Sequence, residues 1–212
     1  GSQVHALGGP PDACVVFFDI ANLSIEAGLF DAVLPHFKTC TELNAGYIDA
    51  YVTASQFLST LNRDQEALSW LDGGRDLFLR NLEWAQASQD PLKQADAARK
   101  VSLLHQAYSN VYTHMVEYEQ ATQHLNEAIK LSPDNMQSWV LLALVERKKG
   151  RQDNCMLICD KILSMDPNNE NAYPINEHRL ICTSPTEVDN FASDKQMETV
   201  TEPMTKSVSD HP

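Results

Sequence analysis

Three kinds of side chain in this sequence could do chemistry: histidines, cysteines and carboxylates. His105, His114 and His124 lie in one stretch. Three imidazoles could hold a zinc ion if their ring nitrogens converged at about 2.0–2.1 Å from it. No His-Glu-x2-His pair presents two of them on one helical face, so they read as packing or exposed residues. Cys155 and Cys159 stand four apart and read as small core residues rather than a redox couple, and no Cys-x2-Cys pair offers a structural metal site. The 29 carboxylates are spread as solvated helix faces, with no pairing that points to acid–base work. The sequence contains neither a Gly-x4-Gly-Lys-Ser/Thr phosphate loop nor a Gly-x-Ser-x-Gly elbow. Gly73-Gly74 falls inside a helical pattern, where it permits close packing or a bend. The expectation is a chain with no catalytic, cofactor-binding or metal-ligating residues, and not an enzyme.

The elements that would position any site are periodic. Leu131-Ser132-Pro133-Asp134-Asn135 is echoed by Met165-Asp166-Pro167-Asn168-Asn169, with the prolines 34 residues apart. A fixed period closed by a turn phrase signals a repeat architecture. Between the prolines, Trp139, Leu142, Ala143 and Leu144 mark one amphipathic helix. Cys155, Ile158, Cys159, Ile162 and Leu163 mark a second. Gly150 between them suits a left-handed helix end. The unit is helix, tight turn, helix, then a turn with proline.

These residues resemble the tetratricopeptide repeat family. Trp139-x2-Leu142-Ala143 fits its opening, and Gly150 and Pro167 fit its turns; Cys155, Cys159 and Ile162 replace two small residues and a large apolar one. The preceding unit matches more closely, with Tyr108, Tyr112, Tyr118, Ala121, Leu125, Ala128 and Pro133, and with His105 where Trp is common. The resemblance assigns Tyr108, Tyr112, Ala121, Leu125, Ala128, Pro133, Trp139, Leu142, Cys155, Cys159 and Pro167 to the repeat core. It implies an all-α solenoid of about four stacked helix-turn-helix repeats.

Taken in order, residues 1–12 are Gly- and Pro-rich and loose, with Gly1-Ser2 as a cloning scar and Asp12 as the cap of the first helix. The helical domain is expected over 13–173. A weaker repeat covers 14–47, with Gly28 in its turn and Val33, Phe37 and Cys40 on its second helix. Another covers 48–81, with Tyr51, Ala54 and Ser55, a turn at Asn62-Arg63-Asp64, and Ala67, Leu71 and Gly74. The third covers 102–135 and the fourth 136–169, and a fifth starts at Glu170 until Pro174 stops it. The register breaks at the extension 82–101. Leu77, Phe78, Leu82 and Trp84 continue a running helix. Asp90-Pro91 gives a cap and a first helical position. The spacing therefore predicts two over-long helices, about 64–88 and 91–115, whose tips project beyond the stack.

The tail, 174–212, has four prolines, many Ser and Thr, and a net charge of −4 from seven acidic and three basic residues. Such an irregular, acidic segment cannot bury enough surface to offset its ordering entropy. Ile175, Leu180 and Ile181 could still cap the last helix. The whole chain carries −13 over 212 residues, with 43% hydrophobic residues and a mean hydropathy of −0.33. That charge argues against nucleic acid and an anionic membrane surface, and no apolar run is long enough to insert in a bilayer. Five cysteines without regular spacing read as reduced, which places the chain inside the cell, in cytoplasm or nucleus.

The resemblance implies scaffold or adaptor work, with a peptide or helix of a partner protein held in a concave groove. By register the groove residues are Asn22, Gln56, Gln106, Asn110, Thr113, Val140, Leu144, Arg147 and Lys148. Ile25, Glu26, Val52 and Ser59 join them, and Arg147, Lys148, Lys149 and Arg151 form a basic end. Some family members clamp the C-terminal carboxylate of chaperones with Lys, Arg and Asn. Phe18, Asn22, Thr53, Leu103 and Ala107 stand at those positions, and only Asn22 matches, so no such clamp is expected. Two alternatives accompany this reading: a structural subunit that self-associates or docks through the helix tips near Leu82, Trp84 and Leu92, and a regulatory module of a larger enzyme.

Overall fold

The structure is a computed structural model and describes residues 11–165, with side chains from Ala13 onward. The loose start, Pro167, the fifth opening at Glu170 and the tail lie outside the described residues. Within them the chain is all-α and contains eight helices. These are α1 (Pro11–Glu26), α2 (Phe30–Leu43), α3 (Ile48–Thr60), α4 (Asp64–Ala87), α5 (Pro91–His114), α6 (Tyr118–Leu131), α7 (Met136–Lys148) and α8 (Gln152–Met165). They pair in sequence as α1/α2, α3/α4, α5/α6 and α7/α8, and α5 also packs on α3, α4 and α7. The result is an α-solenoid.

Each pair turns on a residue in the left-handed region: Gly28 (φ 72°), Asn62 (φ 57°), Val116 (φ 64°) and Gly150 (φ 74°). These stand 34, 54 and 34 residues apart, so the middle interval is one period with twenty residues added. The addition makes no loop. It lengthens α4 and α5 to 24 residues each, against 13 in α3 and 14 in α6. Between them Asp90 accepts hydrogen bonds from the N–H groups of Leu92 (3.0 Å) and Lys93 (3.3 Å), and Pro91 occupies the first helical turn. One difference from the sequence reading is local: α1 starts at Pro11, so Asp12 lies within the helix rather than capping it. Val116 is a costlier turn residue than its three equivalents, because a β-branched side chain crowds the backbone at positive φ.

The core follows the helical spacing. Ala121, Leu125 and Ala128 are fully buried on α6, while Gln123, Asn126 and Glu127 face water. Val33, Phe37 and Cys40 do the same on α2, and Ala67, Leu71 and Phe78 on α4. Of the residues assigned to the repeat core, Tyr108, Leu142, Cys155 and Cys159 are buried, while Tyr112 and Trp139 are half-buried. Pro133 is exposed and serves the turn instead: its carbonyl accepts from Trp139 Nε1 at 2.9 Å. Cys14, Cys40 and Cys159 are buried. Burial, then the neighbouring Cys14, pushes the Cys40 thiol up to about 12, which leaves it unreactive.

The adjacent glycines of α4 have opposite roles. A Cβ on Gly74 would stand 2.8 Å from Tyr51 Cε1 and 3.0 Å from Phe78 Cε2, two buried rings packed edge to face. A Cβ on Gly73 would meet nothing within 4 Å. Gly74→Ala is expected to cost about 1–3 kcal/mol through overpacking. Gly73→Ala is expected to gain about 0.5–1 kcal/mol from helix propensity. Paired urea melts check this; equal shifts for both variants would refute the close approach at Gly74.

Candidate functional site

The first helices of the pairs build one wall of the stack, with α3, α5 and α7 as successive neighbours. Between α3 and α5 the wall opens into a cleft of about 570 Å³. Its lining is Gln56, Ser59, Thr60, Asn62, Ala107, Asn110, Val111 and His114. The cleft therefore carries amides and hydroxyls and no lysine, arginine or carboxylate. His114 Nδ1 lies 2.9 Å from both carboxylate oxygens of Asp64, which fixes the ring from the start of α4. Ser59 Oγ is enclosed and has no hydrogen-bond partner among the described residues. Such a site can donate to and accept from peptide groups through its amides and hydroxyls, while the His114 ring in its lining is already engaged by Asp64.

The residues assigned to the groove separate on inspection. Gln56 and Asn110 meet across this cleft. Gln106 and Val140 are 6% and 8% exposed. Gln106 Nε2 donates to Ser138 Oγ at 2.8 Å, tying α5 to α7 of the next pair, and Val140 packs on Ile162 within the α7/α8 pair, so both are taken up by packing of the stack. Asn22 and Thr113 are half-buried on α1 and α5, Leu144 packs beside Val140, Arg147 is half-buried and Lys148 is exposed.

The basic end is not a set of open cations. Lys149 Nζ contacts Glu119 at 3.0 Å and Glu146 at 3.1 Å, with the Lys149 side chain only 6% exposed. Arg151 reaches the same two carboxylates at 3.5 and 3.8 Å. Glu146 also accepts from Asn154 at 3.1 Å. Burial by itself would raise the Glu146 carboxyl, but the Asn154 amide and the Lys149 and Arg151 cations outweigh it and hold it below the usual range. This cluster ties α6, α7 and α8 together, so Lys149 and Arg151 are engaged by carboxylates of the stack itself.

One arrangement escaped the sequence reading. His105 of α5 and His124 of α6 face each other with their Nδ1 atoms 2.9 Å apart. His124 is also stacked on Tyr108 (4.8 Å) and Tyr112 (5.4 Å), and Tyr108 donates its hydroxyl to Asp72 at 2.6 Å. A hydrogen bond between two imidazoles needs one donor and one acceptor, so at least one of the two rings is neutral. Burial lowers both, and His105 lowers His124 further, to about 4. The signal available in sequence was the histidine at a position usually held by Trp; the partner on another helix was invisible. Among the described residues no group of three or more metal-ligating side chains comes together. No helix there is long and apolar enough to cross a membrane.

A tetratricopeptide repeat family model matches residues 104–135 and 137–169. No curated protein matches the chain in sequence. Solved structures with a similar course include MamA (16% identity, 77% of this chain and 88% of that one, TM-score 0.46). Another is the TPR2AB domain of yeast Sti1 in complex with an Hsp90 peptide (10%, 81% and 86%, TM-score 0.37). A third is YrrB, described as a TPR protein with an unusual peptide-binding site (14%, 76% and 90%, TM-score 0.33). At these identities and TM-scores, what those proteins bind is not transferred to this chain.

Proposed function

We propose that this chain, a tetratricopeptide repeat protein, is a non-catalytic scaffold or adaptor that holds an extended segment of a partner polypeptide in the α3/α5 cleft. The observation that carries the reading is the cleft's chemistry: Gln56 and Asn110 facing across it, with the unpartnered Ser59 hydroxyl in its lining. Side-chain amides pair with backbone N–H and C=O at once, so they hold a peptide by its main chain and leave selectivity to neighbouring apolar contacts. Residues placed on rigid helices do this at little ordering cost.

Asn110→Ala with Gln56→Ala is expected to weaken partner capture about thirtyfold, at roughly 1 kcal/mol per hydrogen-bonding side chain, with the melting temperature unchanged. Affinity measured on a partner recovered by pull-down checks this. Retention of full affinity by the double variant would reject the cleft.

On this reading the ligand of the cleft is not a chaperone tail. The clamp positions hold Phe18, Asn22, Thr53, Leu103 and Ala107. Phe18 packs on Phe37 and Tyr47, and Ala107 is 1% exposed, so both positions are used in packing. Titration with an acidic chaperone C-terminal peptide is expected to give no heat; micromolar binding would overturn this.

A second reading rests on the tip of the long hairpin. Trp84 is 64% exposed and Leu92 82%, with Lys93 Nζ over the Trp84 ring at 5.5 Å. Exposed apolar residues at a projecting tip support docking or self-association there. The buried cysteines Cys14, Cys40 and Cys159, with no regular spacing, support an intracellular, cytoplasmic or nuclear protein.

A further inference from the structure

The outer face of α1 is apolar and acidic, and no other described residue covers it. Ten large hydrophobic side chains among the described residues are exposed, and five of them, Val15, Val16, Leu23, Leu29 and Phe30, crowd into residues 15–30. On α1, Cys14 and Ala21 point into the core with Phe37 and Cys40. Val16, half-buried Ile20 and Leu23 recur at spacings of four and three on the opposite side. A helix apolar on both sides is the pattern of an element covered on both sides.

The charge around this stripe has one sign. Asp19, Glu26 and Asp31 are exposed, and none of the ion pairs among the described residues involves them. No lysine or arginine occurs from Ala13 to Phe37, and Lys38 pairs with Glu42. A second copy of this face would set these carboxylates against their own kind, which disfavours self-docking.

We infer that the outer face of α1 is a docking surface for an amphipathic helix of another protein, with an apolar stripe flanked by lysine or arginine. The stripe seats against Val16 and Leu23 while the flanking cations meet Asp19 and Glu26. This surface is separate from the α3/α5 cleft, and its test does not depend on that site.

The probes are two labelled helical peptides with the same leucine stripe, one flanked by lysine and one by glutamate, titrated onto the full chain. The lysine peptide is expected to bind and the glutamate peptide not. Leu23→Ser should weaken the lysine peptide about tenfold, because it removes one buried leucine contact. Asp19→Asn with Glu26→Gln should weaken it about fivefold at low salt and flatten its salt dependence. Asn110→Ala should leave it unchanged. Leu23 is exposed, so circular dichroism of the Leu23→Ser variant should match the parent. Three results would overturn the inference: equal binding of both peptides, an unchanged affinity in Leu23→Ser, or a dimer in sedimentation that Leu23→Ser dissolves.

Discussion

Glu146→Ala is expected to destabilise the C-terminal half of the stack by about 3 kcal/mol. The carboxylate is 4% exposed and is met by Lys149, Arg151 and Asn154. Its removal leaves Lys149, itself enclosed, with Glu119 and Thr122 as its contacts. Taking one member from a buried pair strands the other charge, at about 3–5 kcal/mol; the surviving Glu119 contact places this case at the low end. A loss of that size lowers the melting temperature by roughly 6–12 °C in a chain of this length. The same physics gives a contrast. Glu146→Leu combined with Lys149→Met removes both charges and their desolvation together, so the double variant should sit well above the Glu146→Ala single. Thermal melts of parent, single and double variants decide. A single variant as stable as the parent would show that the cluster is only surface decoration.

The second large effect is the response to acid. In the folded chain His124 is held neutral, by burial first, then by His105 and Arg75, against the opposing pull of Asp72 and Glu127. His105 is lowered too, by burial. The sign follows directly. Between an unfolded value of 6.5 and a folded value of about 4, the unfolded His124 takes up a proton that the folded one refuses. Acid therefore favours unfolding across that window, and the contribution is complete above 6.5. The shift corresponds to about 3 kcal/mol at full burial, and roughly 2 kcal/mol once the ring's partial exposure is allowed for. His124→Phe keeps the ring stack on Tyr108 and Tyr112 and removes the titration. Stability measured by urea at neutral pH and near the acid end of the window should fall less in that variant than in the parent. Parallel losses would assign the acid response to carboxylates such as Glu146, whose lowered carboxyl also costs stability when protonated, but at lower pH.

Both effects arise where helices from different parts of the chain meet. His105 and His124 come from α5 and α6; Glu119, Glu146 and Arg151 come from α6, α7 and the turn before α8. Neither cluster has a spacing that marks it. By contrast, Asp90-Pro91 announced its own helix start, and Gly28 and Gly150 their own left-handed turns. The long helices were legible for the same reason: the apolar period ran on through Phe78 and Leu82, both buried, with no loop-forming cluster before Ser88.

The sequence alone determined the helices, their turns, the period of 34 and the added length between the second and third pairs. Those follow from local rules of spacing and capping that act within a few residues. The tertiary structure alone decided which side of each helix is covered. It closed Gln106 between two helix pairs and Val140 within its own, enclosed Lys149 with Glu146, and opened Gln56 and Asn110 onto a common cleft. Burial depends on what arrives from a neighbouring helix pair, and a helix's own sequence fixes its apolar stripe but not the width of the contact that covers it.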